Sequence, residues 1–196
     1  MISLYSAKDH FNAMQQANAV YDNLAIQVPS RGEADSLLQD GYGHIGEKRR
    51  YILEPHEALY LVDKERLTVI DEVERRILSF QEILNRELAN DPMLWTRYII
   101  YRDIRGRGFV AKSTAKNSVS FSIYERGDYP KKTPSYELYA LAEGFSETLG
   151  HIEEKLVEVK DSGRVLKLAV IDRRGEVVYY GLDKLEIERL GDNALE

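Results

Sequence analysis

The amino-acid sequence predicts an α+β protein, with a small N-terminal α/β domain followed by a C-terminal mixed-sheet domain flanked by helices. Three observations carry that expectation. The turn-rich break Asn90-Asp91-Pro92 divides the chain near its middle. The second half reads helix, strands, helix, strands, with the apolar period switching between helical and strand-like values. A chain of 196 residues, 43% apolar and 31% charged, supplies a core and a polar surface for one medium domain or two small ones.

The elements follow in order. Leu24-Ala25-Ile26-Gln27-Val28 reads as a strand ended by Pro29. Glu33–Gln39 reads as a short helix stopped by Asp40-Gly41-Tyr42-Gly43. Pro55 suits the first position of a helix carrying Ala58, Leu59, Leu61 and Val62. Ser79 and Glu82 have capping-box spacing and open a helix with Ile83, Leu84 and Leu88. Trp95–Arg105 is a helix with Trp95, Tyr98, Ile99 and Tyr101 as apolar positions and arginines between them. Val119–Tyr124 alternates with period two, the pattern of a half-buried strand, and Ser135–Ala142 is a second strand. Leu149, Ile152, Leu156 and Val159 form one apolar helix face. The apolar run Val165–Ile171 suits a central strand, and Arg173-Arg174-Gly175 turns it into Glu176–Tyr180. The expected domains are 1–91 and 92–188, with a tail at 189–196.

With no cysteine, disulfides and thiolate metal sites are excluded. Met1–Lys8 has no signal-peptide core and no apolar run reaches membrane-spanning length, so a soluble, cytoplasmic protein without membrane contact is expected. The histidines His10, His44, His56 and His151 do not cluster. His56-Glu57 is half of a zincin motif, but Tyr60 stands where the second histidine belongs. Glu153-Glu154-Lys155 is a solvated charge run beside an apolar helix face. Neither a metal nor a cofactor is expected.

The net charge of −6 is unevenly spread. Between Arg97 and Lys132, nine basic residues face three acidic ones, a local +6 against −12 for the remainder. Such a segment suits a phosphate-binding surface, or equally a solvated helix face followed by a polar hairpin.

Longer matches sharpen the reading. Tyr98-Ile99-Ile100-Tyr101-Arg102-Asp103-Ile104-Arg105-Gly106-Arg107-Gly108-Phe109 resembles the YxxYRDLRxRG(Y/F) signature of archaeal tRNA-intron endonucleases. Val119–Tyr124 with Glu125-Arg126-Gly127 occupies the place of that family's ADFxVY strand, and Gly163–Asp172 is similar to its GKxLxLAVVD strand. Gly175–Tyr180 is similar to its GxVxYY hairpin, and Leu53–Leu61 resembles its LxPxEALYL helix. The matches run from about Tyr51 to Tyr180.

The resemblance implies a nuclease-like C-terminal domain and metal-independent cleavage of pre-tRNA. A ribose 2′-hydroxyl attacks the adjacent phosphate, leaving a 2′,3′-cyclic phosphate and a 5′-hydroxyl. A base, an acid and a cation serve that chemistry, and the family supplies Tyr, His and Lys. The tyrosine position falls on Tyr124, the histidine on Pro134 and the lysine on Arg164. Proline has no proton to give, and arginine keeps its proton near neutral pH. The family's glycines and aspartate ahead of the tyrosine become Thr114, Ser118 and Ser120, and an arginine two turns before the lysine falls on Val157 beside Glu158. No catalytic set is intact, which implies an architectural, non-catalytic subunit paired with a catalytic one in an (αβ)2 heterotetramer. Two alternatives stand beside it: an active metal-independent endonuclease using Tyr124 and Arg164, or a stand-alone RNA-binding or assembly module. Expected RNA contacts are Arg102, Arg107, Lys132 and Arg164, with a carboxylate as the alternative partner of Arg164, which precedes a buried strand. Expected interface residues are Val177, Val178, Tyr179 and Tyr180, from final strands that pair, together with Asp172 and Glu176 of the preceding loop. In the family that loop is acidic and enters a basic cleft. Here it carries two arginines, Arg173 and Arg174, against its two acids and makes a poor plug.

Overall fold

A computed structural model describes residues 16–22, 25–114, 118–142 and 147–182. It divides into two compact units, Met1–Asp91 and Pro92–Glu196. The tail at 189–196 lies outside the described residues.

In the first unit the elements are β1 (Ala17–Tyr21), β2 (Ile26–Gln27), α1 (Arg31–Gln39), β3 (His44–Ile45), β4 (Tyr51–Leu53), α2 (Pro55–Asp63), β5 (Leu67–Asp71) and α3 (Phe80–Leu88). The strands form one sheet in the order β3-β4-β2-β1-β5, antiparallel except for the parallel pair β1–β5. The helix starts obey their local chemistry. Ser30 accepts from the Glu33 N–H, and Ser79 and Glu82 make both bonds of the capping box. Pro55 opens α2 at a position where its missing N–H is not needed. Glu57 is buried, its carboxylate accepting from Gly43 N at 2.8 Å and Glu54 N at 3.0 Å. At Gly43 (φ +63°) a Cβ would stand 2.5 Å from the Tyr51 ring, so glycine is required there. Glu57 is thus spent on the turn and on the start of α2, which gives the Glu57 half of the His56-Glu57 pair a structural explanation.

The second unit holds α4 (Leu94–Gly106), β6 (Val110–Ser113), β7 (Ser120–Tyr124), β8 (Tyr136–Ala142), α5 (Leu149–Asp161), β9 (Val165–Ile171) and β10 (Val177–Leu182). The sheet order is β10-β9-β8-β7-β6, with β8 and β9 parallel and the other pairs antiparallel. The α+β class and the mixed C-terminal sheet between helices are therefore as the sequence predicts. On one face, Tyr101 of α4 meets Phe121 with ring centres 6.0 Å apart. On the other, Leu156 and Val159 of α5 join Tyr139 and Leu166 in a buried cluster.

Three expectations need correction. β7 is not half-buried: Ser120, Phe121, Ser122 and Ile123 are all buried, because helices cover both faces of the sheet and serine is small enough to fit beneath one. Leu149 is 55% exposed, since α5 begins beyond the sheet's apolar cover, leaving Ile152, Leu156 and Val159 as its inward stripe. Of the predicted strand Leu24–Val28, Leu24 lies outside the described residues and only Ile26–Gln27 of the rest are strand, while β1, β3, β4, β5 and β6 go beyond the predicted elements. Among the described residues, no helix is long and apolar enough to cross a membrane.

Candidate functional site

Topology brings the three family positions to one end of the C-terminal sheet. Ile123 pairs with Tyr136, and Tyr136 with Val165. One step beyond this row come Tyr124, at the close of β7, Pro134-Ser135, leading into β8, and Arg164, leading into β9. The backbone N–H of Ser135 donates to the Ile123 carbonyl at 2.8 Å, which fixes Pro134 beside the end of β7. Because side chains alternate along a strand, Ser122, Tyr124, Glu137 and Arg164 belong to the same sheet face, the one covered by α5.

The head group of Arg164 is already engaged. Its guanidinium donates to Glu137 Oε2 at 2.7 Å and to Ser122 Oγ at 3.1 Å, while its Nε donates to Ser162 Oγ at 2.9 Å. Glu137 is only 5% exposed, and its two oxygens also accept from Ser122 Oγ and Thr114 Oγ1, each at 2.7 Å. A buried carboxylate is tolerated only when paired and hydrogen-bonded, and this one has both. The guanidinium and the carboxylate cancel, so the site carries no net charge from them. Tyr124 is half-buried and meets Tyr129 edge-on at 5.1 Å. Of the three family positions, only Tyr124 keeps the residue type that the resemblance implies there.

A carboxylate contact for Arg164 was open from the sequence, but Glu137 and Ser122 were not identified as its partners. One signal was available: Glu137 is the sole charged residue of the otherwise apolar or aromatic segment Tyr136–Ala142. A lone acid in such a strand calls for a buried cation.

The basic segment is not one surface. Arg97 is 4% exposed and braces the domain, donating to the Ser118 carbonyl at 3.1 Å and Ser113 Oγ at 3.3 Å. Arg102 is exposed, 5.6 Å above the Tyr98 ring. Arg107 pairs with Asp103 at 2.9 Å and lies 5.1 Å from the Tyr179 ring centre, and the Asp103 bond holds its guanidinium above the usual arginine range. Lys132 pairs with Asp128 at 2.8 Å, which raises the ammonium pKa in the same way. A phosphate at Arg107 or Lys132 must compete with a carboxylate.

The proposed interface strand β10 ends the sheet order. Val178 and Tyr180 are 50% and 55% exposed on one face, whereas Tyr179 turns inward and donates to Asp103 Oδ2 at 2.6 Å. Burial, then the Asp103 bond, push the Tyr179 hydroxyl well above its ordinary pKa. In the loop before β10, Asp172 Oδ1 accepts from the backbone N–H groups of Arg174 and Glu176, each at 2.9 Å, and so closes the turn itself.

The chain is thus an α+β protein of two compact units, with Tyr124, Pro134 and Arg164 at one end of the second unit's mixed sheet. Residues 19–84 match the family model "tRNA intron endonuclease, N-terminal domain", and residues 94–179 match "tRNA intron endonuclease, catalytic C-terminal domain". The chain belongs to the tRNA-intron endonuclease family. It is similar to the tRNA-splicing endonuclease of Methanococcus vannielii, 29% identical over 156 residues that cover 76% of this chain and 88% of that one. The tRNA-splicing endonucleases of Pyrococcus furiosus (28% over 146 residues; 74% and 82% covered) and Methanothermobacter thermautotrophicus (28% over 148 residues; 73% and 84% covered) are comparably similar.

Proposed function

We propose that this chain is the architectural, non-catalytic subunit of a cytoplasmic tRNA-splicing endonuclease. It positions pre-tRNA and a catalytic subunit of the same fold within an (αβ)2 assembly. The observation that carries this reading is the Arg164–Glu137 pair at 2.7 Å beside Pro134. The position that would hold a phosphate-facing cation instead holds a neutralised one, and the position of the acid holds no proton. Cleavage by in-line attack needs that cation uncompensated and that proton available.

The test compares the purified chain with the chain co-expressed with a histidine-containing paralogue, using intron-bearing pre-tRNA without added metal. The chain alone is inactive and the assembly cuts both splice sites. Loss of one general acid costs about a hundred- to ten-thousand-fold, so only robust cleavage by the chain alone, at an ordinary enzymatic rate, overturns the reading.

A further inference from the structure

The N-terminal unit carries a feature that the endonuclease reading does not use. Beside α1 lies a groove of about 500 Å³, whose lining includes Leu38 and Ile45 together with Arg31, Arg49 and Arg50. Ile45 is 63% exposed, so its side chain offers apolar surface at the edge of the arginine group. Asp35 is the only acid of the lining, so three cations face one anion, a local +2. The domain around it is acidic: residues 1–91 hold ten Lys and Arg less sixteen Asp and Glu, a net −6. The local charge therefore runs against its surroundings.

The cations are also lightly held. The Arg31 side chain is 95% exposed, with its nearest carboxylate contact at 3.9 Å, and Arg50 is 3.7 Å from Asp22. Both distances exceed that of a good charge-assisted hydrogen bond. They contrast with Arg107 and Lys132, which are bonded to their acids at 2.9 and 2.8 Å. Arg49 is presented by an unusual backbone, since Lys48 and Arg49 are consecutive non-glycine residues at φ 54° and 58°. Such left-handed pairs are uncommon and concentrate where a side chain must be aimed.

We propose that this groove binds a single RNA strand of the pre-tRNA, with Arg31 and Arg49 forking onto phosphates and a base or ribose lying over Ile45 and Leu38. The assignment rests on the splicing-subunit reading for the identity of the RNA. The charge pattern itself calls for a polyanion with flat apolar faces, which describes unpaired RNA better than an acidic peptide. The contact is separate from the three-strand site and needs no catalytic group.

The test uses the full chain assembled with its catalytic partner. The RNA is a fluorescent pre-tRNA carrying 2′-deoxy residues at the splice sites, which has no attacking hydroxyl and stays intact. Binding is followed from about 0.05 to 0.3 M salt for wild type, Arg31→Ala/Arg49→Ala and Arg31→Lys/Arg49→Lys. Two lost phosphate contacts on single-stranded RNA flatten the log–log salt slope by about 1.5 and weaken binding about tenfold near 0.15 M. The lysine pair keeps most of the slope. Thermal unfolding of each variant confirms that the fold is retained, as the exposure of Arg31 leads one to expect. If the alanine pair binds with unchanged affinity and slope while the assembly still forms and cuts unmodified pre-tRNA, the groove assignment fails and the subunit reading survives. An acidic protein partner in the groove gives that same result. If the wild-type assembly does not bind pre-tRNA at all, both readings fall together.

Discussion

Replacing Arg164 with methionine removes the cation from Glu137 while keeping an apolar stem of similar reach. Breaking a buried pair by deleting one partner costs about 3–5 kcal/mol when the pair is fully enclosed. Here the Glu137 side chain is 7% exposed but that of Arg164 is 29%, and Ser122 and Thr114 still donate to the carboxylate. The loss is therefore smaller, about 2–3 kcal/mol. For a chain of this size that lowers the unfolding midpoint by about 5–10 °C. Circular dichroism of the full chain measures it. The added change Glu137→Gln removes the stranded charge while leaving a carbonyl to accept from the two hydroxyls, and it recovers at least about half of the loss. An Arg164→Met cost below about 0.5 kcal/mol, with no recovery on adding Glu137→Gln, would mean that the guanidinium is not committed to Glu137 in solution. It would then be available to phosphate, and the observation behind the non-catalytic reading would be gone.

Tyr124→Phe leaves the co-expressed assembly about as active as wild type in a pre-tRNA cleavage assay, because the partner supplies the chemistry; a loss of a hundredfold or more contradicts this. Val178→Asp, placed on the exposed face of the terminal strand, splits the assembly, whereas Glu176→Lys leaves its mass unchanged by light scattering, because Asp172 is already spent on the turn and the loop is a poor plug. Glu82 is held at about 2 by the Ser79 N–H and hydroxyl and by Arg76, so its stabilisation is fully present above about pH 4.5 and is lost as pH falls toward 2. Glu82→Gln should flatten that part of the acid-unfolding profile, and an unchanged profile rules the linkage out.

Much of the fold was legible because its signals are local. Ser79 and Glu82 are three residues apart, so their capping box is written in the chain, as is Pro55 at the head of α2. The order of motifs around Tyr124, Pro134 and Arg164 likewise placed three strand ends together. Less was legible where an element is short or a partner distant. β2 and β3 are two residues each, too brief for a period to show. Ser120 and Ser122 look like a solvent face, and only the helix over them makes them interior. The direction taken by Arg164 depends on Glu137, 27 residues away, and no spacing rule connects them.

That distant carboxylate also bears on whether the family's chemistry can be put back. A cation that stabilises a crowded phosphate must face it without a competing anion. Glu137 lies within a strand, hydrogen-bonded to Ser122 and Thr114, and cannot swing away without giving up those bonds. A phosphate approaching Arg164 therefore also approaches a buried negative charge, and the two anions repel. Replacing Arg164 with lysine does not remove this obstacle, since Glu137 stays in place and its charge still attracts the ammonium. Replacing Pro134 with histidine supplies an acid, yet leaves the phosphate without its cation. The double variant Pro134→His/Arg164→Lys, which restores the family's three residue types in full, is accordingly expected to remain without detectable cleavage when assayed alone on intron-bearing pre-tRNA. Clear cleavage by that variant, giving 2′,3′-cyclic phosphate ends with Glu137 intact, would show that Pro134 and Arg164 alone silence the site and that Glu137 has no part in it.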